Sequence, residues 1–475
     1  MFKNITEAKK YINDYKVKFI DFKIIDLQGR FRHLTIPAEN LSEKTMDEGI
    51  GFDASNYGFA RVEKSDMVFI PDLKTAVLDP FTKSKTISMM ANVYVIDNPV
   101  NIPFDQYPRN VVKNAIEYMK KTKIADEMII APEYEFNIFN SMRYNLKQNN
   151  ISYSIDAKES ELSSDYDNSN GYHTLTKGGY HIDRPNDITF DVRNDICEKM
   201  KEFGIDVKYH HHEVGGSGQD EIEVKLDEMS KLADDTMFVK YIIKNCAANA
   251  GMSATLMPKP IYGEAGNGMH IHMLLKKDNK SIFYSKGNYA NLSENAMYFI
   301  GGVLKHISSL CAFTNPTTNS YKRLVPGFEA PVTVGYASAN RSSVIRIPAY
   351  AKGEENTRFE LRNPDATCNP YYAFSAILMA GLDGIKNKID PAKYNWGPFD
   401  LNLYDLPENK KAKLEHLPTN LSEAIIALKK DNAYLLENNV FTKELINNWI
   451  NIISKDANKV SSIPHPAEFE LYYDL

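Results

Sequence analysis

Five short stretches of this chain set ionisable side chains at strand-like spacing, where residues two apart share one face of the pleat. In Ala131–Phe136, Glu133 and Glu135 share a face while Tyr134 and Phe136 take the other. In Gly266–Met273, His270 and His272 align behind a Gly-rich turn. In Thr357–Pro364, Arg358, Glu360 and Arg362 stand opposite apolar Phe359 and Leu361. Asn340–Pro348 carries Arg341 and Arg346, whose odd spacing would point them to opposite faces of one regular strand. A kink, or a loop leading into the strand, is needed to aim both at one ligand. The fifth stretch, Tyr209–Glu223, reads as two strands joined by the turn Gly215–Gly218. A four-residue loop pairs Glu213 with Asp220. One extra loop residue or a bulge pairs Glu213 with Glu221 and puts both carboxylates on one face. Two opposed carboxylates repel unless a cation lies between them.

Taken singly, each stretch is equally a half-exposed strand with a wet face. Together they concentrate carboxylates, imidazoles and guanidiniums behind apolar faces. Oxygen-rich ligands with a histidine suit Mg²⁺ or Mn²⁺ better than zinc. Clustered arginines suit phosphate or carboxylate groups through bidentate pairing. The combination points to phosphoryl transfer from a nucleotide bridged by divalent ions. The chain contains no G-x-x-x-x-G-K-[ST] and no kinase motif set, which excludes P-loop and kinase folds. Glu329, between Gly327 and Pro331, sits on an irregular segment suited to a hinged flap, or is an ordinary turn glutamate. Arg323 lies just upstream, where the plain alternative is a surface charge.

Elements to carry these residues follow from the pattern. At 475 residues the chain exceeds one ordinary core, so two or more domains are expected. Charged residues at 25% and hydrophobic ones at 43% fit a soluble globular protein. A formal charge of −6 gives no reason to expect nucleic acid, and no run reaches membrane-spanning length. Four scattered cysteines without a C-x-x-C pair, and a start lacking a signal-peptide core, fit a reducing cytoplasm. The pattern predicts a helix over Ile5–Tyr15, then strands over Val17–Asp26, Phe31–Ile36, Met67–Ile70, Ala76–Asp79 and Thr86–Val95. A helix from Pro108 follows, with a domain boundary near 103/104. Met128–Asn137 reads as a strand, and Asn140–Gly179 as one long aperiodic loop, a lid or a disordered segment. Asp234–Ala250 is a helix with Gly251 as its C-cap glycine, and Tyr371–Ile385 a buried one. Asn420 and Glu423 form a capping box, Thr442–Ile453 is a further helix, and the apolar Glu470–Leu475 is expected to dock.

The segments Asn319–Pro331, Met257–Pro260 with Gly268–His270, and Asn369–Phe374 with Leu378–Gly384 occur in an order that closely resembles glutamine synthetase of the bacterial type I class. The resemblance runs from about Phe52 to Leu475. It implies an α+β fold: an N-terminal β-grasp domain over 1–103, and over 104–475 a catalytic domain whose curved antiparallel sheet forms the site. It also implies a dodecamer of two hexameric rings with active sites shared between neighbouring subunits. The implied reaction joins ammonium to L-glutamate at the expense of ATP, through a γ-glutamyl phosphate, with two to three Mg²⁺ or Mn²⁺ per site. A γ-glutamyl ligase using an organic amine is the rival on the same scaffold.

By the resemblance, Glu135, Glu213 and Glu221 hold one metal, and Glu133, His270 and Glu360 the other. Arg323 and Arg362, with the backbone of Gly266, hold glutamate. Arg341, Arg346, Arg358 and His272 face the nucleotide and the transferred phosphoryl group. Asp53 takes the proton of ammonium from the adjacent subunit, and Glu329 closes the site. Tyr404 matches a tyrosine modified in one subgroup, with a packed loop tyrosine as the plain alternative, whereas Arg61 resembles a feedback-inhibition arginine of another, so a regulatory protein partner is left open. The chain departs from the usual pattern at Ala265, where many relatives carry an asparagine, at Lys208 and Leu274 beside the nucleotide, and at Ala54 and Asn56 near Asp53.

Overall fold

The computed structural model describes residues 2–97, 100–160, 163, 170–328, 330–401, 407, 409 and 413–473. A helix, Ile5–Tyr15, opens the chain, capped by the Asn4 side chain. Seven strands follow: β1 (Phe19–Ile25), β2 (Phe31–Pro37), β3 (Ile50–Asp53), β4 (Asp66–Pro71), β5 (Val77–Leu78), β6 (Thr86–Val95) and β7 (Ile102–Pro103). Their main path is β2-β1-β6-β4-β3, with β1 parallel to β6. The β1–β2 turn is seated on the rest of the chain by Asn369, whose side-chain amide donates to the Leu27 carbonyl at 3.1 Å. Gly29 in that turn has φ +75°, and a Cβ there would lie 2.9 Å from Asn369 Cα, so only glycine fits. Arg109 pins the same junction through Asp72 and Asp234, each at 2.9 Å.

The second sheet has ten strands around β8 (Glu127–Phe139), which is buried over almost its whole length. The others are β11 (Val207–His212), β12 (Gln219–Val224), β13 (Asp227–Glu228), β14 (Ser253–Thr255), β15 (Ile271–Lys277), β16 (Lys280–Ser281), β17 (Thr333–Ser338), β18 (Ser343–Ile347) and β19 (Phe359–Leu361). Between these and β8 in the chain come β9 (Ser141–Lys147) and β10 (Asn150–Asp156), a separate two-stranded hairpin. The order is β11-β12-β8-β15-β19-β18-β17, antiparallel except for the parallel pair β17–β18. Helix Met229–Asn249 covers one face: the Tyr134 hydroxyl meets Thr236 Oγ1 at 2.9 Å, and Tyr134 and Phe136 are fully buried. The strand period then obliges Glu133 and Glu135 to face the other side.

Several expectations change. Residues 140–179 are not one long loop, because 141–156 form the β9–β10 hairpin. Its signal was the alternation of Met142, Tyr144 and Leu146 with polar neighbours, broken by Gln148–Asn150. In the acidic hairpin the register matches neither expected pairing. Asp220 lies opposite His212, Glu221 opposite His211, and the Glu213 N–H donates to the Gln219 carbonyl at 2.7 Å. The helix expected from Asp234 begins at Met229, one turn earlier, and ends as expected before Gly251, at φ +71°. Asn420 caps its helix, but Glu423 returns its carboxylate to the Thr419 N–H rather than to that of Asn420. The C-terminal helix Pro466–Tyr472 has no buried residue and leaves Phe469, Leu471 and Tyr472 about 60% exposed, so its apolar side is left largely uncovered by the described residues. Among the described residues no single helix is long and apolar enough to cross a membrane.

Candidate active site

The register of the large sheet lays the polar residues in adjoining rungs on one face. Glu221 of β12 pairs with His211 on one side and Glu135 on the other, and Glu223 pairs with Glu133. Further along, His272 of β15 lies opposite Glu360 of β19, which lies opposite Arg346 of β18. Arg341 precedes β18 rather than lying in it, so the loop supplies the change of direction that lets both arginines reach one cleft. That cleft is lined by Glu133, Glu135, Glu213, Glu221, His270, Gly266, Arg323, Arg341, Arg346, Glu360 and Arg362.

Three groups of ligand atoms meet there, each within a 4.8 Å span: Glu133, His270 and Glu360; His211, Glu213 and Glu221; Glu133, Glu223 and His272. His270 Nδ1 lies 2.9 Å from one Glu133 oxygen and His272 Nε2 lies 2.7 Å from the other. Burial alone would raise the Glu133 carboxyl, but these imidazoles outweigh it and hold it well below the usual carboxylate range. Glu221 is the opposite case. Burial, then the charges of Glu133, Glu135 and Glu213, push its carboxyl well above that range. Burial and Glu133 push Glu223 up as well, against its contacts with Lys208 and Tyr209. Acceptor-only groups crowded in this way fit a divalent cation, which would discharge the repulsion and take the free oxygens. The His272 Nδ1 atom, buried and without a hydrogen-bond partner, shows that this corner is built for more than the groups it contains.

Arginines frame the carboxylates. Arg362 Nε donates to Glu360 at 3.0 Å, and Arg346 Nε faces the other Glu360 oxygen at 2.6 Å without hydrogen-bond alignment. Arg358, 7% exposed, keeps its Nε unpartnered and donates otherwise to the Asn356 carbonyl at 3.0 Å. A buried guanidinium with donors to spare is a seat for an anion. Arg323 is held by the Asn363 carbonyl at 2.9 Å, and burial lowers its pKa. Gly266 and Gly268 pack so closely on Arg323 that a Cβ at either would fall 2.8 Å or less from its side chain. Ala265 lines the cleft with a methyl group only, and Leu274 is buried in the core.

Behind the row, Arg193 of helix Phe190–Glu202 donates to Asp220 at 2.5 Å and Asp187 at 2.6 Å, all buried. Burial pushes Asp220 up to about 7 despite that partner. His212 bridges to Glu159 at 3.0 Å, and the Glu159 carboxylate also takes the Gly218 N–H of the hairpin turn. The three consecutive histidines therefore part company: His211 joins the metal-type group, His212 anchors the turn, and His210 receives Arg193 Nε.

The cleft thus gathers the expected carboxylates, His270 and the arginines, with His272 and Arg358 at its edge. It adds His211, Glu223, Tyr180, Tyr209 and Tyr350, which sequence reading missed. The period-two alternation of Tyr209, His211 and Glu213, and of Glu221 and Glu223, carried the signal for the three of these residues that lie on strands, Tyr209, His211 and Glu223. Asp53 is not brought in. It is exposed at the end of β3, and hydrogen bonds from the Ser55 hydroxyl and N–H lower its pKa. Glu329 and Tyr404 lie outside the described residues.

A β-grasp domain followed by a ten-stranded sheet with a carboxylate–arginine cleft defines an acid-activating ligase class. Family models for the glutamine synthetase β-grasp domain match residues 16–96, and for its catalytic domain residues 105–472. A glutamine synthetase of Streptomyces filamentosus is 44% identical over 480 residues, covering 100% of both chains. The solved Plasmodium falciparum glutamine synthetase is 30% identical, with a TM-score of 0.87 over 99% of each chain. A structure titled as a GmaS–ADP complex is 27% identical, with a TM-score of 0.81 over 98% of this chain and 99% of that one. The chain belongs to the glutamine synthetase family.

Proposed function

We propose that this protein is an ATP-dependent glutamate–ammonia ligase that makes glutamine through a γ-glutamyl phosphate. The observation that carries the reading is the cleft itself, in which two ligand groups suited to divalent ions, Glu133–His270–Glu360 and His211–Glu213–Glu221, share one lining with Arg323, Arg341, Arg346 and Arg362. Full-length relatives at 44% identity carry the glutamine synthetase name, whereas the GmaS structure is more distant at 27%, so ammonium is favoured over an organic amine.

The division of labour is carried over from the resemblance. Arg323 and Arg362, with the Gly266 backbone, hold the carboxylates of glutamate and orient its γ-carboxylate. Arg341, Arg346 and Arg358 take the phosphate oxygens, with His272 beside them. Glu135, Glu213 and Glu221, joined by His211, would hold one Mg²⁺ or Mn²⁺, and Glu133, His270 and Glu360 another. Such ions supply Lewis-acid stabilisation of charge on the transferring phosphoryl group. A free carboxylate is a poor acyl donor because its leaving group would be an oxide. Phosphorylation converts that oxygen into phosphate, a good leaving group. Asp53, from a neighbouring subunit, takes a proton from ammonium, since only ammonia has a lone pair to attack. Glu329 covers the acyl phosphate against water.

Asp53 does not line the cleft of its own chain, which supports an assembly such as the dodecamer of the resemblance. An apolar groove of about 800 Å³ lined by Phe139, Met142, Tyr153, Ile155, Met257 and Tyr262, and the uncovered helix Pro466–Tyr472, supply surfaces for it. The test is Mg²⁺-dependent phosphate release from ATP with glutamate and a panel of amines. Stimulation by ammonium with glutamine as product is expected. Stimulation by an organic amine alone would move the protein to the rival ligase, and no turnover with any amine would refute both.

A further inference from the structure

Three aromatic rings stand at the rim of the cleft, and they differ in how they are engaged. Tyr180 stacks on His181 at 4.1 Å between ring centres. Tyr209 gives its hydroxyl to Glu223 and is covered by the Lys208 ammonium, 4.6 Å from its ring centre. Tyr350 is 58% exposed and has no ring–ring contact among the described residues. Around its ring stand three cations: Lys208 at 5.8 Å, Arg346 at 5.9 Å and Arg358 at 6.0 Å. Its hydroxyl is fixed by Arg346 at 3.3 Å. The residue is therefore held at its hydroxyl and flanked by cations, while more than half of its surface stays exposed at the cleft rim.

This arrangement has a chemical consequence. Arg346 and Arg358 are buried guanidiniums, Arg358 with its Nε free of hydrogen bonds and Arg346 with its Nε engaged only by the Glu360 charge, so the anionic end of a ligand belongs beside them. A flat, electron-rich ring about 6 Å from both stands where a group linked to those phosphates through a sugar would arrive. Base–aromatic stacking works on any π face and adds binding that phosphate contacts cannot. Lys208 completes the rim. Its ammonium lies 2.5 Å from Glu223 and between the Tyr209 and Tyr350 rings, so it ties β11 to the loop that carries Tyr350.

We infer that Tyr350 is the stacking surface for the nucleotide base, held in place by Arg346 and by the Lys208 bridge, an inference that rests on the ATP reading above. The residue is a specificity determinant for nucleotide over bare polyphosphate. It takes no part in phosphoryl transfer.

The experiment is titration calorimetry of the full-length protein with Mg²⁺-ADP and, separately, Mg²⁺-tripolyphosphate. The parent should bind both. Tyr350→Ala should weaken ADP about 10-fold and leave tripolyphosphate unchanged, while Tyr350→Phe stays within about 2-fold of the parent for each. Because the ring is mostly exposed, the far-ultraviolet circular dichroism of both variants should match the parent. Equal ADP affinity in Tyr350→Ala would overturn the inference. A parallel loss of tripolyphosphate would also overturn it, because the ring would then act only by ordering the arginines. A parent that binds tripolyphosphate but not ADP would overturn the nucleotide reading itself.

Discussion

Replacing Glu221 with glutamine removes one charge from the most crowded part of the cleft at nearly constant size. The ligand atoms of His211, Glu213 and Glu221 lie within 4.8 Å of one another. Two unit charges 4.8 Å apart at an effective dielectric of ~20 repel by about 3.5 kcal/mol. The raised Glu221 carboxyl takes up part of that repulsion by binding a proton, so about 3.5 kcal/mol is the upper bound on the relief. Glu221→Gln should therefore be more stable than the parent, by up to about 3.5 kcal/mol, when both are stripped with a chelator. With Mn²⁺ the gap should close or reverse. A ligand at 100 times its dissociation constant stabilises the parent by about 2.7 kcal/mol, and the variant has lost one carboxylate of the His211, Glu213 and Glu221 group. The assay is urea unfolding at pH 8 in chelator and again in Mn²⁺. A stripped Glu221→Gln protein less stable than the stripped parent would refute the idea that these carboxylates repel and wait for a cation.

Other outcomes follow from single sites. Arg193→Met leaves Asp187 and Asp220 buried without their cation and should cost about 3–5 kcal/mol, read from the urea midpoint; Arg193→Lys should lose less. His306 sits between Asp431 at 2.8 Å and Asp383 at 3.0 Å, and although burial opposes it, these partners raise its pKa. Its contribution is therefore complete below the unfolded value of ~6.5 and disappears as pH rises through the folded value; His306→Gln should flatten that part of the stability–pH profile, and an unchanged profile would exclude the pair as its source. Asp53→Asn should raise the KM for ammonium while phosphoryl transfer to glutamate persists, and an equal loss of both would remove Asp53 from the ammonium step.

Much of the site was legible because strand periodicity is a local rule. Tyr134 and Phe136 must enter the core, so Glu133 and Glu135 must leave it, and the same logic placed His270 with His272 and Glu360 with Arg358 and Arg362. The ordered motifs around Asn319–Pro331 and Met257–Pro260 were enough to indicate the family. Register was not legible. Whether Glu221 pairs with Glu213 or His211 depends on the turn that Gln219 holds from within the hairpin and Glu159 from outside it, and a shift of one residue changes every partner. The β9–β10 hairpin was hidden for a related reason: with both faces largely wet, its alternation is weak, and only pairing between the two strands reveals it.

By itself, then, the sequence determined which side chains face together along each strand, since that follows from backbone geometry alone. Only the tertiary structure decided which strands lie side by side. That choice made one cleft from five separated stretches, set Arg193 behind Asp220, and left Asp53 outside the cleft of its own chain. Such contacts join residues far apart in the chain, and their energies come from burial and charge that no local window contains.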